Sequence, residues 1–340
     1  MKAAVIERHG EPDVIQYRDW ADPKAGPGEA LVRVRGCALN HRDVWVRRGL
    51  RETRLPHILG TDIAGEVVAL GPGVSGPPPG AKVVVLPTLT CGRCEFCRSG
   101  AENSCPEIKV LGGAVDGGYA ELISVPAGNV FLMPDGLSFV EAAALPVAFL
   151  TAWHMLVTRG GVRPGETVLV VGASSGIGSA AIQIARLHGA RVLATAGTAD
   201  KRQRCRDLGA DETIDHYGQT ISQEVRRLTD GRGADLIFEH VGPATWAESL
   251  RSLARRGRLV VCGQTTGNEV ALPLIQFFAQ NQTIHGTFIG TAGEFVEVLR
   301  HVGAGRLRPV VDKVFALPDA AEAHRRMERG EHFGKIVLSV

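Results

Sequence analysis

The chain has 340 residues, more than one ordinary hydrophobic core accommodates and enough for two domains. Hydrophobic residues make up 44% and charged residues 22%, and a formal net charge of +2 gives no electrostatic case for nucleic acid or a membrane surface as a partner. No apolar run approaches the ~18 residues of a membrane span, and the first residues, MKAAVIERHG, lack a signal-peptide apolar core, so a cytoplasmic location is expected.

The first third is expected to be rich in β-structure. EALVRVRG alternates with period two and puts Ala30, Val32 and Val34 on one face. AGEVVALG and AKVVVLP are short apolar runs bounded by Gly and Pro, as strands are. GPGVSGPPPG between them is a loop, because its prolines cannot feed a central ladder. CGRCEFCRSGAENSC then sets Cys91, Cys94, Cys97 and Cys105 in C-x2-C-x2-C-x7-C spacing. In a reducing compartment that cluster predicts a metal site rather than a disulfide framework. Four unmetallated thiols in a loop are the alternative.

The texture changes near Glu141. EAAALPVAFLTAWHML is helix-forming and apolar. From TVLVVGA to RLVVCGQ, apolar runs without alternation are separated by amphipathic stretches such as DKRQRCRDLGA and ISQEVRRLTDGRGA. That pattern predicts a parallel sheet covered by helices on both faces. The tail, VVDKVFALPDAAEAHRRMERGEHFGKIVLSV, returns to strand, helix, strand. The expected layout is a β-rich domain interrupted by an inserted α/β domain and completed by the tail.

Inside the α/β segment, VLVVGASSGIGSAAIQIA places Gly172, Gly176 and Gly178 between a buried strand and a helix. Glycines there let backbone approach a pyrophosphate, and the helix N-terminus offers free N–H groups and positive dipole. Ser174, Ser175, Gly176, Ile177 and Gly178 are the candidate phosphate-loop residues. The spacing is G-x-x-x-G-x-G, and a turn that only packs helix on strand is the competing explanation. The next strand, RVLATAG, ends in Ala196-Gly197-Thr198, with no acid to accept ribose hydroxyls as NAD sites usually have. Thr198, Lys201 and Arg202 could meet a 2′-phosphate, so NADP is the expected cofactor and NAD the alternative. Lys201 and Arg202 fit a solvated helix face equally well.

These residues resemble a known family across nearly the whole chain. The layout, the cysteine lobe and GASSGIG are similar to the medium-chain dehydrogenase/reductase superfamily. Within it, ALNHRDVWVRRG, LPHILGTDIAGEVVALGPGV, GGYAEL and AAALPVAFLTAWHML resemble the quinone oxidoreductase and enoyl reductase branch, the first two segments resembling zinc-type bacterial alcohol dehydrogenases as well. The resemblance implies an α/β fold: a GroES-like β-rich catalytic domain plus an inserted Rossmann domain, a doubly wound parallel sheet, with the active site in the cleft between them. The expected bounds are residues 1–148 for the catalytic domain, with a zinc lobe at about 88–110, then 149–287 for the Rossmann domain and 288–340 for the return.

Alcohol dehydrogenases of this superfamily carry two zinc sites. The four-cysteine lobe matches the structural one, since four thiolates close a tetrahedron and leave no open position. One structural zinc per chain is therefore expected. The second, catalytic site needs two cysteines and one histidine with an open position. Its ligand positions fall at Asn40, at Thr61 and near Pro146. Asp62 is a conceivable substitute ligand, with His41, His57 or Asp43 recruited, but no combination restores the spacing. A catalytic metal is not expected.

Without that Lewis acid, reduction of an isolated carbonyl loses several kcal/mol of stabilisation. A conjugated alkene spreads the developing charge into an enolate, and a quinone is easier still. The expected function is NADPH-dependent reduction of an enone, enal or quinone, with a zinc alcohol dehydrogenase of unusual ligands as the alternative. A cofactor-bound structural protein without turnover is a third class, which any hydride turnover would dispose of. Asn40 could hold the acceptor's oxygen, Thr61 could add a hydroxyl and Trp45 could wall the pocket; each could equally serve only local structure. By resemblance, Thr151, Val241, Gly263 and Phe288 line the cofactor, and His41 and Lys335 lie near its pyrophosphate. Asp43 is read as supporting the pocket and Tyr119 as core. The expected partners are a small-molecule substrate and further copies of the chain, in a homodimer or homotetramer paired through VALPLIQFFAQNQTIHGTF.

Overall fold

A computed structural model describes residues 1–50 and 53–340 of the chain. They form two compact units, one of Met1–Val147, Thr291–Gly305 and Pro309–Val340, the other of Ala148–Gly290 with Arg306–Arg308. An α/β segment is thus inserted into a β-rich one, as the texture of the sequence implies.

The main sheet of the first unit has seven strands. Its path runs Val130–Leu132, Lys82–Val85, Asp62–Leu70, Glu29–Ala38, Lys335–Ser339 and Val311–Ala316, with Leu122–Pro126 also on Glu29–Ala38. The alternation in EALVRVRG does what period two requires: Ala30, Val32 and Val34 are all buried. Bulges between Leu31 and Val32 and between Val34 and Gly36 curve this strand against Asp62–Leu70. Gly65 sits at that curve, where a Cβ would lie 2.0 Å from the Arg33 carbonyl oxygen, so no larger residue fits. The C-terminal strand Lys335–Ser339 pairs antiparallel with Gly36–Ala38, which brings the tail beside the start of the helix His41–Arg47.

The second unit is a six-stranded, wholly parallel sheet. Its order is Glu212–Ile214, Arg191–Thr195, Thr167–Val170, Ala234–Glu239, Leu253–Val261 and Thr283–Gly286. The order reverses around Thr167–Val170, the place where ligands enter doubly wound sheets. Thr167–Val170 and Ala234–Glu239 are buried at every position, which accounts for the apolar runs at residues 168–170 and 236–238. The sequence EAAALPVAFLTAWHML is not one helix. It divides into Phe139–Ala143 and Pro146–Trp153, because Pro146 supplies no N–H to continue the first helix, and it ends in a π-helical turn, His154–Arg159.

Among the described residues the last strand of this sheet, Thr283–Gly286, pairs only with Leu253–Val261 and forms an edge of the sheet. Ahead of it, Leu274, Ile275 and Phe278 are 65%, 76% and 65% exposed, and Phe288 just beyond is 47% exposed. This apolar stretch is surface, not core. No helix among the described residues is long and apolar enough to cross a membrane.

Candidate functional site

The cysteine lobe assembles as its spacing demands. Gly92 takes φ of +67°, turning the chain so that the N–H groups of Cys94 and Cys97 point at the sulfurs of Cys91 and Cys94, 3.4 and 3.5 Å away. The Sγ atoms of Cys91, Cys94, Cys97 and Cys105 all lie within 4.8 Å of one another, with Cys91 and Cys97 3.9 Å apart. Disulfides need about 2.05 Å. Four sulfurs each about 2.3 Å from one zinc stand roughly 3.8 Å apart, so the donor set fits that ion. The N–H groups of Arg93 and Cys94 pull the Cys91 thiol down to about 6, towards the thiolate that a metal binds.

The positions expected from the resemblance for a catalytic metal's ligands are built differently. Asn40 precedes the helix His41–Arg47 and is held there by Asp43, whose Oδ2 accepts the Asn40 backbone N–H at 2.7 Å. The Asn40 side chain then joins Asp62 and Lys335 in one cluster. Asn40 Nδ2 donates to Asp62 Oδ2 at 3.0 Å, and Lys335 Nζ donates to Asn40 Oδ1 at 2.7 Å and to Asp62 Oδ2 at 2.8 Å. The other oxygen of Asp62 accepts the Val147 N–H at 2.7 Å, the residue after Pro146. Asp62 is fully buried and Lys335 is 5% exposed, while Asn40 keeps part of its surface. Buried opposite charges in hydrogen-bond contact satisfy each other, and neither is tolerated there alone.

Thr61 is buried and its hydroxyl donates 3.0 Å to the Leu111 carbonyl, so that proton is already engaged. His41 and Trp45 share the helix His41–Arg47, with half-buried side chains and ring centroids 6.4 Å apart. His57 Nδ1 lies 3.2 Å from Asp116. Tyr119 is fully buried, with its hydroxyl 3.2 Å from His324 Nε2. Among the described residues, the cysteine lobe is the only set of three or more His, Cys, Asp or Glu side chains placed to share an ion.

Asp43 ties these segments together. Its Oδ1 accepts the Gly60 N–H at 3.3 Å, so one carboxylate holds both Asn40 and the residue before Thr61. The Asp43 side chain is completely buried. Burial pushes its carboxyl up to about 6, against the pull of the Asn40 and Gly60 N–H groups and the Lys335 ammonium.

In the parallel-sheet unit the glycine loop is a cradle. Gly172 takes φ of +64°, and a Cβ on Gly178 would lie 2.6 Å from the Gly172 carbonyl oxygen. Ser175 caps the helix Gly176–Leu187, its Oγ accepting the Gly178 N–H at 3.0 Å. Ser174 through Gly178 therefore present a helix N-terminus at the open end of the sheet, the arrangement that receives a pyrophosphate. His240 closes one side: its Nε2 is 3.2 Å from Ser175 Oγ, and burial lowers its pKa. The next residue, Val241, is set by the buried Glu239, which accepts the Val241 N–H at 2.7 Å. Gly263 packs on the His240 carbonyl, where a Cβ would come within 2.2 Å. Thr151 is buried in the helix Pro146–Trp153.

After Arg191–Thr195, Thr198 caps the helix Ala199–Asp207, accepting the Lys201 N–H at 3.2 Å. Two features of this corner have little sequence signal. Asp215, beyond the neighbouring strand, pairs with Arg202 at 2.8 Å and brings a carboxylate to the corner that Ala196-Gly197-Thr198 leaves without one. The Tyr217 ring covers Gly197, where a Cβ would lie 2.3 Å from it. Lys335, expected near the cofactor's pyrophosphate, bonds Asn40 and Asp62, across 295 and 273 residues of sequence that no local pattern spans.

The chain matches two family profiles: "Alcohol dehydrogenase GroES-like domain" over residues 26–135 and "Zinc-binding dehydrogenase" over residues 176–304. It is 33% identical to an NAD-dependent alcohol dehydrogenase of Sulfolobus acidocaldarius, with 100% of both chains covered. It is 31% identical to a crotonyl-CoA reductase of Streptomyces avermitilis, over 99% of this chain and 84% of that protein. A solved structure of an NAD-dependent alcohol dehydrogenase is 45% identical and superposes with a TM-score of 0.97, again over 100% of both chains.

The pKa of Asp43 gives a test of the pocket's foundation. Its carboxyl binds a proton more tightly folded than unfolded, so its contribution to stability is complete below about pH 4 and is lost as pH rises through 6. Between pH 4 and 7 the wild type should lose roughly 2 kcal/mol relative to Asp43→Asn, at 1.36 kcal/mol per pKa unit. Urea unfolding of both proteins across that range measures it, and parallel profiles would refute it.

Proposed function

This chain belongs to the medium-chain dehydrogenase/reductase superfamily, and from that premise we propose that it reduces an α,β-unsaturated carbonyl compound or a quinone without a metal at the reacting oxygen. That it is an oxidoreductase follows from the superfamily; the choice of acceptor rests on one observation. The positions that the resemblance assigns to the catalytic zinc's ligands fall at Asn40, at Thr61 and near Pro146, and the buried Lys335–Asp62 pair is bonded to the first of them. When bound, a nicotinamide dinucleotide supplies the hydride. The chain's own part is to hold the acceptor by its oxygen at Asn40, whose position Asp43 fixes, with Thr61 alongside and Trp45 and His41 on the adjoining helix. Protonation of the resulting enolate has no owner among these residues and is left to water. The relative named crotonyl-CoA reductase supports this acceptor class, because a crotonyl group is an α,β-unsaturated acyl group.

A second reading has its own support. The relatives named alcohol dehydrogenase favour interconversion of an alcohol with an aldehyde or ketone, and they outweigh the crotonyl-CoA reductase in identity. A single set of measurements decides between the two. We expect one zinc per chain, held as a structural staple by Cys91, Cys94, Cys97 and Cys105, and NAD(P)H oxidation with enones or quinones that a chelator leaves intact. Two zincs per chain, with chelator-sensitive oxidation of a simple primary alcohol, would establish the second reading.

For the cofactor we favour NADP, on the acid-free strand end Ala196-Gly197-Thr198 and on Lys201, with NAD as the alternative that the relatives' names support. Asp215 offsets the charge of Arg202, so the expected preference is modest. NADPH should bind roughly tenfold more tightly than NADH, about 1.4 kcal/mol. Titration of protein fluorescence measures both constants; equal values, or tighter NADH, would reverse the assignment.

A homo-oligomer, most simply a dimer, would cover Leu274, Ile275, Phe278 and Phe288 beside the edge strand Thr283–Gly286. Light scattering at micromolar concentration should give at least twice the 36.2 kDa chain mass. Ile275→Asp with Phe278→Asp should shift it towards the monomer.

A further inference from the structure

Burying an ammonium group is costly, and proteins keep one only where its charge is balanced and its protons are bonded. Lys335 meets the first condition through Asp62, 2.8 Å away. It meets the second in part. An ammonium has three N–H donors, and two of them go to Asn40 Oδ1 and Asp62 Oδ2. The residue carrying one of these acceptors, Asn40, is the partly exposed member of an otherwise buried cluster.

The charge at this place has a chemical meaning. A zinc ion held by two thiolates and a histidine is a neutral unit whose cation faces the substrate oxygen. An ammonium beside one carboxylate is also a neutral unit that carries a cation. Asp62 is itself pinned from behind by the Val147 N–H at 2.7 Å, so its pull on Lys335 has a defined direction. Asn40 Oδ1 holds the same nitrogen through a second hydrogen bond. A lysine held by two acceptors that are themselves bonded to each other needs little reorganisation to donate its remaining proton, which is the condition for stabilising charge in a transition state.

Resting on the proposed function, we propose that Lys335 is a catalytic residue: its third N–H donates to the acceptor's carbonyl or quinone oxygen, and its positive charge takes the part of the missing metal cation. In the enone case the acceptor's β-carbon gains a hydrogen with its electron pair, while the dihydronicotinamide is oxidised to the pyridinium. The former C=C pair moves towards the carbonyl, and the oxygen becomes an enolate oxygen facing Lys335. A proton from water then reaches the α-carbon and restores the carbonyl. The step takes no proton from Lys335, so no relay is needed to reload it. Asp62 acts through Lys335 as a positioning residue, and Asn40, which holds the acceptor's oxygen, steadies Lys335 as well.

The inference is tested with Lys335→Met and Lys335→Arg in the full-length chain, measuring kcat, KM and the dissociation constant of NADPH. Loss of an oxyanion donor typically costs 10²–10³ in kcat. Lys335→Met should lose about that much with KM little changed, because the interaction forms in the transition state. Its NADPH dissociation constant should stay within threefold, and Lys335→Arg should recover to within about tenfold of wild-type kcat. If Lys335→Met fails to fold with Asp62 unpaired, Lys335→Met with Asp62→Asn removes both charges and should show the same loss of kcat. A Lys335→Met enzyme, or that double variant, with kcat within threefold of wild type would overturn the proposal. So would tenfold weaker NADPH binding with kcat retained, which would return Lys335 to the pyrophosphate. Wild-type protein inactive on every enone and quinone sinks the proposed function; an active wild type with an indifferent Lys335→Met sinks the role of Lys335 alone.

Discussion

Four distant segments of the chain meet at the carboxylate of Asp62. It accepts from Asn40 at the start of one helix, from Val147 in the first turn of another and from Lys335 on the C-terminal strand, and it begins the strand Asp62–Leu70 itself. A buried carboxylate without partners is not sustainable, and breaking a buried pair by removing one member typically costs 3–5 kcal/mol. The placement of the candidate pocket therefore depends on this one group finding all of its donors. Asp43 is the complementary constraint. It takes no cation directly, bonds the N–H groups of Asn40 and Gly60, and so sets the two backbone segments from which Asn40, Thr61 and Asp62 project.

The two parts of the molecule solve the problem of precision by different means. In the parallel-sheet unit the backbone does it: Gly172, Gly178, Gly197 and Gly263 each sit where a Cβ would come within 3 Å of another group. Side chains there serve mainly to aim the main chain, as Ser175 does for Gly178 and Glu239 for Val241. In the β-rich unit the side chains are the site, and the sheet is the frame that brings them together. The cysteine lobe lies between these extremes, with its sulfurs gathered by N–H donors and a glycine turn.

Charge is handled with similar economy at the corner beyond Arg191–Thr195. Lys201 and Arg202 stand side by side in sequence, which by itself suggests two cations for a phosphate. Asp215 takes Arg202 through a contact at 2.8 Å and leaves the pair's net charge near one. The Tyr217 ring, resting on Gly197, then defines a face that neither strand provides alone.

By itself the sequence determined the elements whose information is local. The period of EALVRVRG, the unbroken runs of the parallel strands, the glycine loop before Gly176–Leu187 and the C-x2-C-x2-C-x7-C spacing are each read within a few residues, and each forms as its pattern requires. The helix after Glu141 was legible as helix but not as two helices and a π-turn, although Pro146 carried the signal for the break. Long-range pairing was beyond its reach. Nothing near Lys335 announces Asp62, 273 residues away, and nothing near Arg202 announces Asp215 as its counter-ion. Ion pairs and hydrogen bonds have no sequence periodicity. Which charges are neutralised, and which protons remain to be given, is settled only when the sheet closes and burial makes each unpaired charge too costly to keep.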